Sequence, residues 1–231
     1  MLEVKQLAEE RGGKIGFRYL AGLAGLLHDI GKFSAAFQTY IVEANEHPDT
    51  PPRKGSVDHS TAGGKLLYEY FHHRECKPYH ALLAEIVGNV IISHHAYLQD
   101  YLNPQLKSDF LRRVQDKEIQ DYEAIKKSFF ERVMKERDFV AYVNRATSEL
   151  EVFVSAVPME EREKQMMFAA KFLFSVLIDS DRTNTRLFED KQQAEEQLDI
   201  EAVFQAYYER MIEKTKFFSS LPSADKPINQ L

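Results

Sequence analysis

The eight histidines of this 231-residue chain are informative mainly through their neighbours. His28 is followed directly by Asp29, Asp58 precedes His59, and His94 and His95 are adjacent, while Asp179 and Asp181 sit on a late apolar stretch. Imidazole and carboxylate are the side chains that suit first-row divalent cations, so the pattern points to a metal centre drawn from several segments. The His28-Asp29 dipeptide alone says little, because a core histidine hydrogen-bonded to a neighbour needs no ligand. His94-His95 says more. Two adjacent buried imidazoles with nothing to bind are costly, and shared coordination is the cheaper arrangement. Asp179 and Asp181 are two residues apart, about 200° around a helix, so both cannot point at one site.

The other histidines read differently. His72, His73 and Cys76 resemble a soft-metal cluster, but no second Cys or His follows at zinc-finger spacing. His72 and His73 suit the last turn of a helix, where cationic groups meet the negative end of the dipole. His47 lies in a loop, a poor place for a ligand, and His80 reads as a partly exposed first-turn residue.

The elements that must position these groups are helices throughout. Residues 20–34, LAGLAGLLHDIGKFS, place Leu20, Leu23 and Leu27 at helical spacing toward a core. Asp29 is in register with Gly22 and Gly25, and His28 with Ala21 and Ala24. The face beside the polar pair is therefore expected to be lined by small residues that leave room for a ligand, with Gly31 as the helix stop. Helices are expected over residues 2–11, 17–30, 33–44 (with Ser34 as a cap or in the first turn), from Asp58 to near Lys77-Pro78, and over 79–93. They continue as one long mixed-charge helical region over about 105–154, then 160–182 after Pro158, and about 194–218. Asn45–Ser56, with three prolines and a glycine, is the clearest loop. The alternating cations and carboxylates of 105–154 have the usual meaning of a solvated face.

Composition narrows the classes. Hydrophobic residues make up 44% of the chain, enough for a core, and the formal net charge is −6, which leaves no overall basic footprint for nucleic acid. A single cysteine excludes a disulfide framework and fits a reducing cytosol. No apolar run reaches the ~18 residues of a membrane span, and the charged start MLEVKQLAEERGG carries no signal-peptide core. The expectation is a cytoplasmic protein that contacts no membrane.

The ordered set His28-Asp29, His59, His94-His95 and Asp181 resembles the HD superfamily of metal-dependent phosphohydrolases. More narrowly, LAGLLHDIGKFSAAFQTYI, VDHSTAGGKLL, ISHHAYLQDYL and LFSVLIDSDRTNT resemble stretches of the HD nuclease domain of the CRISPR interference nuclease-helicase of type I systems. A cyclic-dinucleotide phosphodiesterase of the superfamily would share HDIGK but carry a glycine-tyrosine-proline signature after a later histidine pair. No such signature follows His94-His95. The resemblance implies an all-α, compact multi-helix HD-domain bundle, with residues 1–218 as the nuclease domain and 219–231 as a linker toward a helicase part.

The resemblance also implies roles. Asp29 would bridge two divalent metal ions, with His28 and Asp181 on the first and His59, His94 and His95 on the second. The family motif of a small residue then Asp aligns as Ser180-Asp181, which leaves Asp179 to pair with Arg182 or Arg186. Asp29 and Lys32 would be the catalytic pair, Lys32 lying near the scissile phosphate. Two cations some ~3.5–4 Å apart would lower the pKa of a bridging water and clamp the attacking and leaving oxygens. A histidine-rich set favours Mn, Fe, Co, Ni or Zn over Mg alone. The implied reaction is phosphodiester hydrolysis of single-stranded DNA in CRISPR interference, with a helicase domain or subunit and the RNA-guided surveillance complex as partners. The family's first helix usually opens on one more histidine, which would fall immediately before Met1, so occupancy of the first metal is tied to that position. The alternatives are an HD phosphohydrolase acting on a nucleotide and a metal-deficient docking module.

Overall fold

In the computed structural model, which describes residues 1–53, 55–189 and 200–220, the chain is all-α, with no strand among the described residues. It divides into two units, Met1–Arg186 and Leu187–Leu231. Helices α1 (Leu2–Gly13), α2 (Arg18–Leu27), α3 (Ala35–Glu46), α4 (Thr61–Phe71) and α5 (Pro78–Ser93) are followed by a short α6 (Asp109–Leu111) that runs into a π-helical turn, Arg112–Asp116. Then come α7 (Tyr122–Arg132), α8 (Glu136–Ser155) and α9 (Arg162–Glu189). In the second unit, α10 (Ile200–Ser219) puts Val203, Phe204, Tyr207, Tyr208 and Met211 at helical spacing on one face. The expected helix residues 194–199 and most of the expected linker lie outside the described residues. No described helix is long and apolar enough to cross a membrane.

Helix α2 is the centre of the first unit. All residues from Leu20 to Leu27 are buried, as a helix that is apolar on every side must be. Its N-terminal amides have no cap from Phe17. The carboxylate of Glu149 on α8 takes that place, accepting from the backbone N of Tyr19 at 2.9 Å and of Leu20 at 2.9 Å. Such a cap contributes about 1 kcal/mol and joins residues 130 positions apart in sequence. Phe17 fills the corner beside it, edge-on to Phe153 and Phe172.

The small residues of α2 serve backbone packing, which corrects the expectation of an open face. A Cβ on Gly22 would meet Tyr142 Oη at 2.1 Å, and one on Gly25 would meet Val4 O at 2.9 Å. The space belongs to α1 and α8, not to a ligand. Gly31 is likewise no helix stop. Helix α2 ends at Leu27, and Gly31 lies in a 3-10 turn, Ile30–Phe33, where a Cβ would come 2.3 Å from His59 O. Its lack of a side chain lets the segment carrying His59 lie directly on the turn that carries Asp29.

Three further boundaries differ from expectation. Helix α4 stops at Phe71, and α5 starts on Pro78, whose missing N–H costs nothing at a first helical position. The region 105–154 is not one run. The π turn, Asp121 in the left-handed conformation (φ 60°) and the break before Glu136 divide it. Ser34 does cap α3, its Oγ accepting from the Phe37 amide.

Gly63 tests the close packing. A Cβ there would sit 2.2 Å from Leu27 O, with backbone on both sides of the contact. Gly63→Ala is expected to lower stability by about 1–3 kcal/mol, the usual cost of overpacking, read as a fall in the urea midpoint. At Gly13 a Cβ would meet only Arg18 Cβ at 3.9 Å, and Gly13→Ala should raise stability by about 0.5–1 kcal/mol. Equal effects at the two sites would refute the packing argument.

Candidate metal centre

His28 is the residue at which α2 ends, and the turn that follows carries Asp29 and Lys32. His59 lies just before α4, His94 and His95 just after α5, and Asp181 on α9. The ligand atoms of His28, Asp29 and Asp181 fall within 4.8 Å of one another, and so do those of Asp29, His59, His94 and His95. All seven residues singled out in the sequence, Lys32 included, therefore meet in one place, and Asp29 belongs to both groups.

Three imidazoles are oriented by their own backbone. His28 Nδ1–H donates to Gly25 O at 2.9 Å, His94 Nδ1–H to Ile91 O at 2.6 Å, and His59 Nδ1–H to Val57 O at 3.2 Å. Each bond commits Nδ1 to donation and turns Nε2 inward, the atom that can coordinate a cation once it carries no proton. His28 Nε2 is 3.1 Å from Asp29 Oδ2 and 3.4 Å from Asp181 Oδ1. Asp29 Oδ1 is 3.8 Å from His59 Nε2 and 3.7 Å from His94 Nε2. The two oxygens of Asp29 thus face different sets of nitrogens. His95 departs from expectation, because it is exposed where a buried pair was expected; its Nε2 converges on that of His59 at 2.5 Å.

Within this cluster His28 Nε2, Asp29 Oδ1 and His94 Nε2 are buried without a hydrogen-bond partner. The approach of His28 to the two carboxylates is electrostatic, without hydrogen-bond alignment. Each buried orphan atom costs about 1–3 kcal/mol, and three of them facing one another is the arrangement a cation relieves. The donor set, four imidazole nitrogens and two carboxylates, fits a borderline divalent ion. The residues present fit the group.

Charge supports the same fit. Loss of water on the side of the His95 ring that faces the cluster lowers it to about 4, with His94 and His59 adding to the effect, and burial lowers His59 too. Both are ready as neutral ligands. Burial would raise Asp29, yet His28 and His94 beside it hold its carboxyl far below the usual range. Lys32 Nζ, 43% exposed, pairs with Asp29 Oδ2 at 2.6 Å on the rim.

One outer network, in which Arg113 Nη2 lies 3.4 Å from Asp58, braces the cluster, and sequence reasoning missed the part each of these two residues plays in it. Asp58 Oδ1 accepts from the amides of Ser60 and Thr61, so that α4 starts two residues after His59. Burial would raise its carboxyl, but Lys117 and Thr61 hold it well below the usual range. Arg113, on the π turn, donates to Ser60 Oγ, Thr61 Oγ1 and Ile92 O. It therefore ties the His59 segment to the end of α5 that carries His94. A signal existed for Asp58, an Asp ahead of a helix start; none marked Arg113 among the mixed charges around it.

Asp179 does not pair as expected. Its Oδ2 lies 2.7 Å from Arg11 Nε on α1, and the same guanidinium donates to Ser180 Oγ and Thr183 Oγ1. The residues set aside stay apart from the centre: His72 pairs with Glu85 and His80 with Asn144, and neither they nor His47, His73 and Cys76 join a ligand group among the described residues.

A family model described as the HD domain of Cas3 matches residues 4–175. That span takes in His28, Asp29, Lys32, His59, His94 and His95; Asp181 lies beyond it. No curated protein matches the chain.

Metal-free protein offers a test of the electrostatics. Burial alone would lower His28, but Asp181 and Asp29 outweigh it and raise the ring from 6.5 to about 9. A group raised on folding contributes stability that is complete below its unfolded pKa and lost as pH climbs through the folded one. With chelator present, the urea midpoint should fall between pH 6.5 and 9, by a free energy on the order of 2–4 kcal/mol. His28→Gln should remove most of that slope, and a flat parent profile would contradict the assignment. A divalent cation must displace this proton, so metal binding should release protons across the same window.

Proposed function

The chain belongs to the family of Cas3 HD domains, and on that ground we propose that it is a metal-dependent nuclease hydrolysing phosphodiester bonds of single-stranded DNA in CRISPR interference. The observation that carries the reading is the sharing of Asp29 between two ligand groups, its two oxygens facing different imidazoles. His28, Asp29 and Asp181 would hold one divalent cation, and Asp29, His59, His94 and His95 a second. When bound, such ions supply Lewis acidity, lowering the pKa of water and neutralising phosphate oxygens.

The protein's own contribution is orientation and charge. The backbone carbonyls of Gly25, Val57 and Ile91 keep three imidazoles from turning. Desolvation at the cluster favours neutral His59 and His95, so that neither repels a cation. Lys32 stands on the open side, its ammonium on the outer oxygen of Asp29, where it would meet a non-bridging phosphate oxygen of the substrate. No serine or cysteine nucleophile is needed, and Cys76 joins neither ligand group. A net charge of −6 attracts no polyanion over the surface as a whole. Delivery of the strand by a helicase part and an RNA-guided complex belongs to the same proposal.

The test is cleavage of circular single-stranded DNA with added manganese, the parent chain against Asp29→Ala, with free nucleotides assayed in parallel. The parent should open the circle, and the variant should lose at least about 100-fold. Changes in groups that merely orient metal ligands already cost 10–100-fold, and Asp29 touches both groups. Turnover of nucleotides with intact circles would replace the nuclease reading with that of a nucleotide phosphohydrolase. Equal cutting by parent and variant would place the chemistry elsewhere.

A further inference from the structure

Helix α9 is held to the core by a stripe of buried residues: Ala169, Leu173, Val176, Leu177 and Ser180. The stripe follows helical spacing and stops there, because the next residues on that face, Thr183 and Asn184, are polar. Apolar packing therefore ends just as α9 reaches Asp181. What continues it is Arg11, near the end of α1. Its Nε lies 2.7 Å from Asp179 Oδ2, its Nη1 donates to Ser180 Oγ at 3.1 Å, and its Nη2 donates to Thr183 Oγ1 at 2.9 Å. Three nitrogens of one rigid plane contact three residues that bracket Asp181.

The Asp179 carboxylate is 64% exposed, so that ion pair alone adds little stability. The three contacts together do something different, because a planar fork fixes direction where a single ammonium fixes only distance. A carboxylate oxygen stands roughly 6 Å from its helix axis. A turn of α9 by about 20° would move it by roughly 2 Å, enough to carry Asp181 out of reach of His28, now 3.4 Å away.

We propose that Arg11 is a positioning residue that fixes the rotation of α9 so that Asp181 faces His28 and Asp29, and that it thereby sets the affinity for the cation these three hold. The proposal rests on the metal-centre reading above and extends it to a residue far from Asp181 in sequence.

The experiment is a manganese titration of the full chain, with free Mn(II) followed by its paramagnetic resonance signal, for the parent, Arg11→Gln, Arg11→Lys and Thr183→Val. Melting of each chelated protein is recorded alongside. Arg11→Gln should weaken binding of a manganese ion by about 10–100-fold. Arg11→Lys should recover only part of that loss, and Thr183→Val should give a smaller loss in the same direction. Parent stoichiometry and affinity in Arg11→Gln, with only the melting temperature lowered, would overturn the proposal and leave a plain structural clamp. Should Arg11→Gln not fold, Thr183→Val decides, and unchanged affinity there overturns it. A parent chain that binds no manganese would instead overturn the metal-centre reading itself, and the proposal with it.

Discussion

The structure depends on a simple pairing: a histidine at the end of a helix gives its Nδ1–H to a carbonyl of that helix. The last four carbonyls of any helix lack intrahelical partners. Gly25 and Ile91 lie in the last turns of α2 and α5, and His28 and His94 come directly after those helices. One bond engages a helix-end carbonyl, commits Nδ1 to donation and aims Nε2 inward. Because both rings are buried, the aimed Nε2 atoms have no solvent to turn to. The cost of leaving them unpartnered is what fits the cluster to receive a cation.

Bringing two helix ends and a loop to one point requires the backbones to approach closely. Gly31 lets the His59 segment lie on the Asp29 turn, and Gly63 lets α4 lie against Leu27 O at the end of α2. Polar side chains then set the angles that packing leaves open. Glu149 caps α2, Arg113 joins the His59 segment to the end of α5, and Arg11 grips α9 around Asp181. Each comes from an element remote in sequence from what it holds, so the centre is a product of the whole first unit.

This explains what was legible in the chain beforehand. Apolar spacing showed the helices, because it is a local pattern, whereas the meeting of His28-Asp29, His59, His94-His95 and Asp181 was implied only by the resemblance of their order to the HD family. The divergence of Asp179 and Asp181 followed from helix geometry alone. The meaning of the small residues in α2 did not, since a glycine that makes room for a ligand and one that makes room for a backbone read alike. The breaks within 105–154 depend on where Phe129, Phe139 and Arg113 find partners elsewhere in the fold. The exposure of His95 depends on the helix ending at Ser93, and the partner of Asp179 lies on α1, 168 positions earlier.

The most direct test of the account is the manganese-edge anomalous scattering of a crystal grown with that ion. Peaks in contact with the Nε2 atoms of His28, His59, His94 and His95, with the Asp29 carboxylate between them, are the expected result. Ions bound only elsewhere, or rings that have turned to bind through Nδ1, would contradict the claim that backbone carbonyls aim these imidazoles at a shared metal centre.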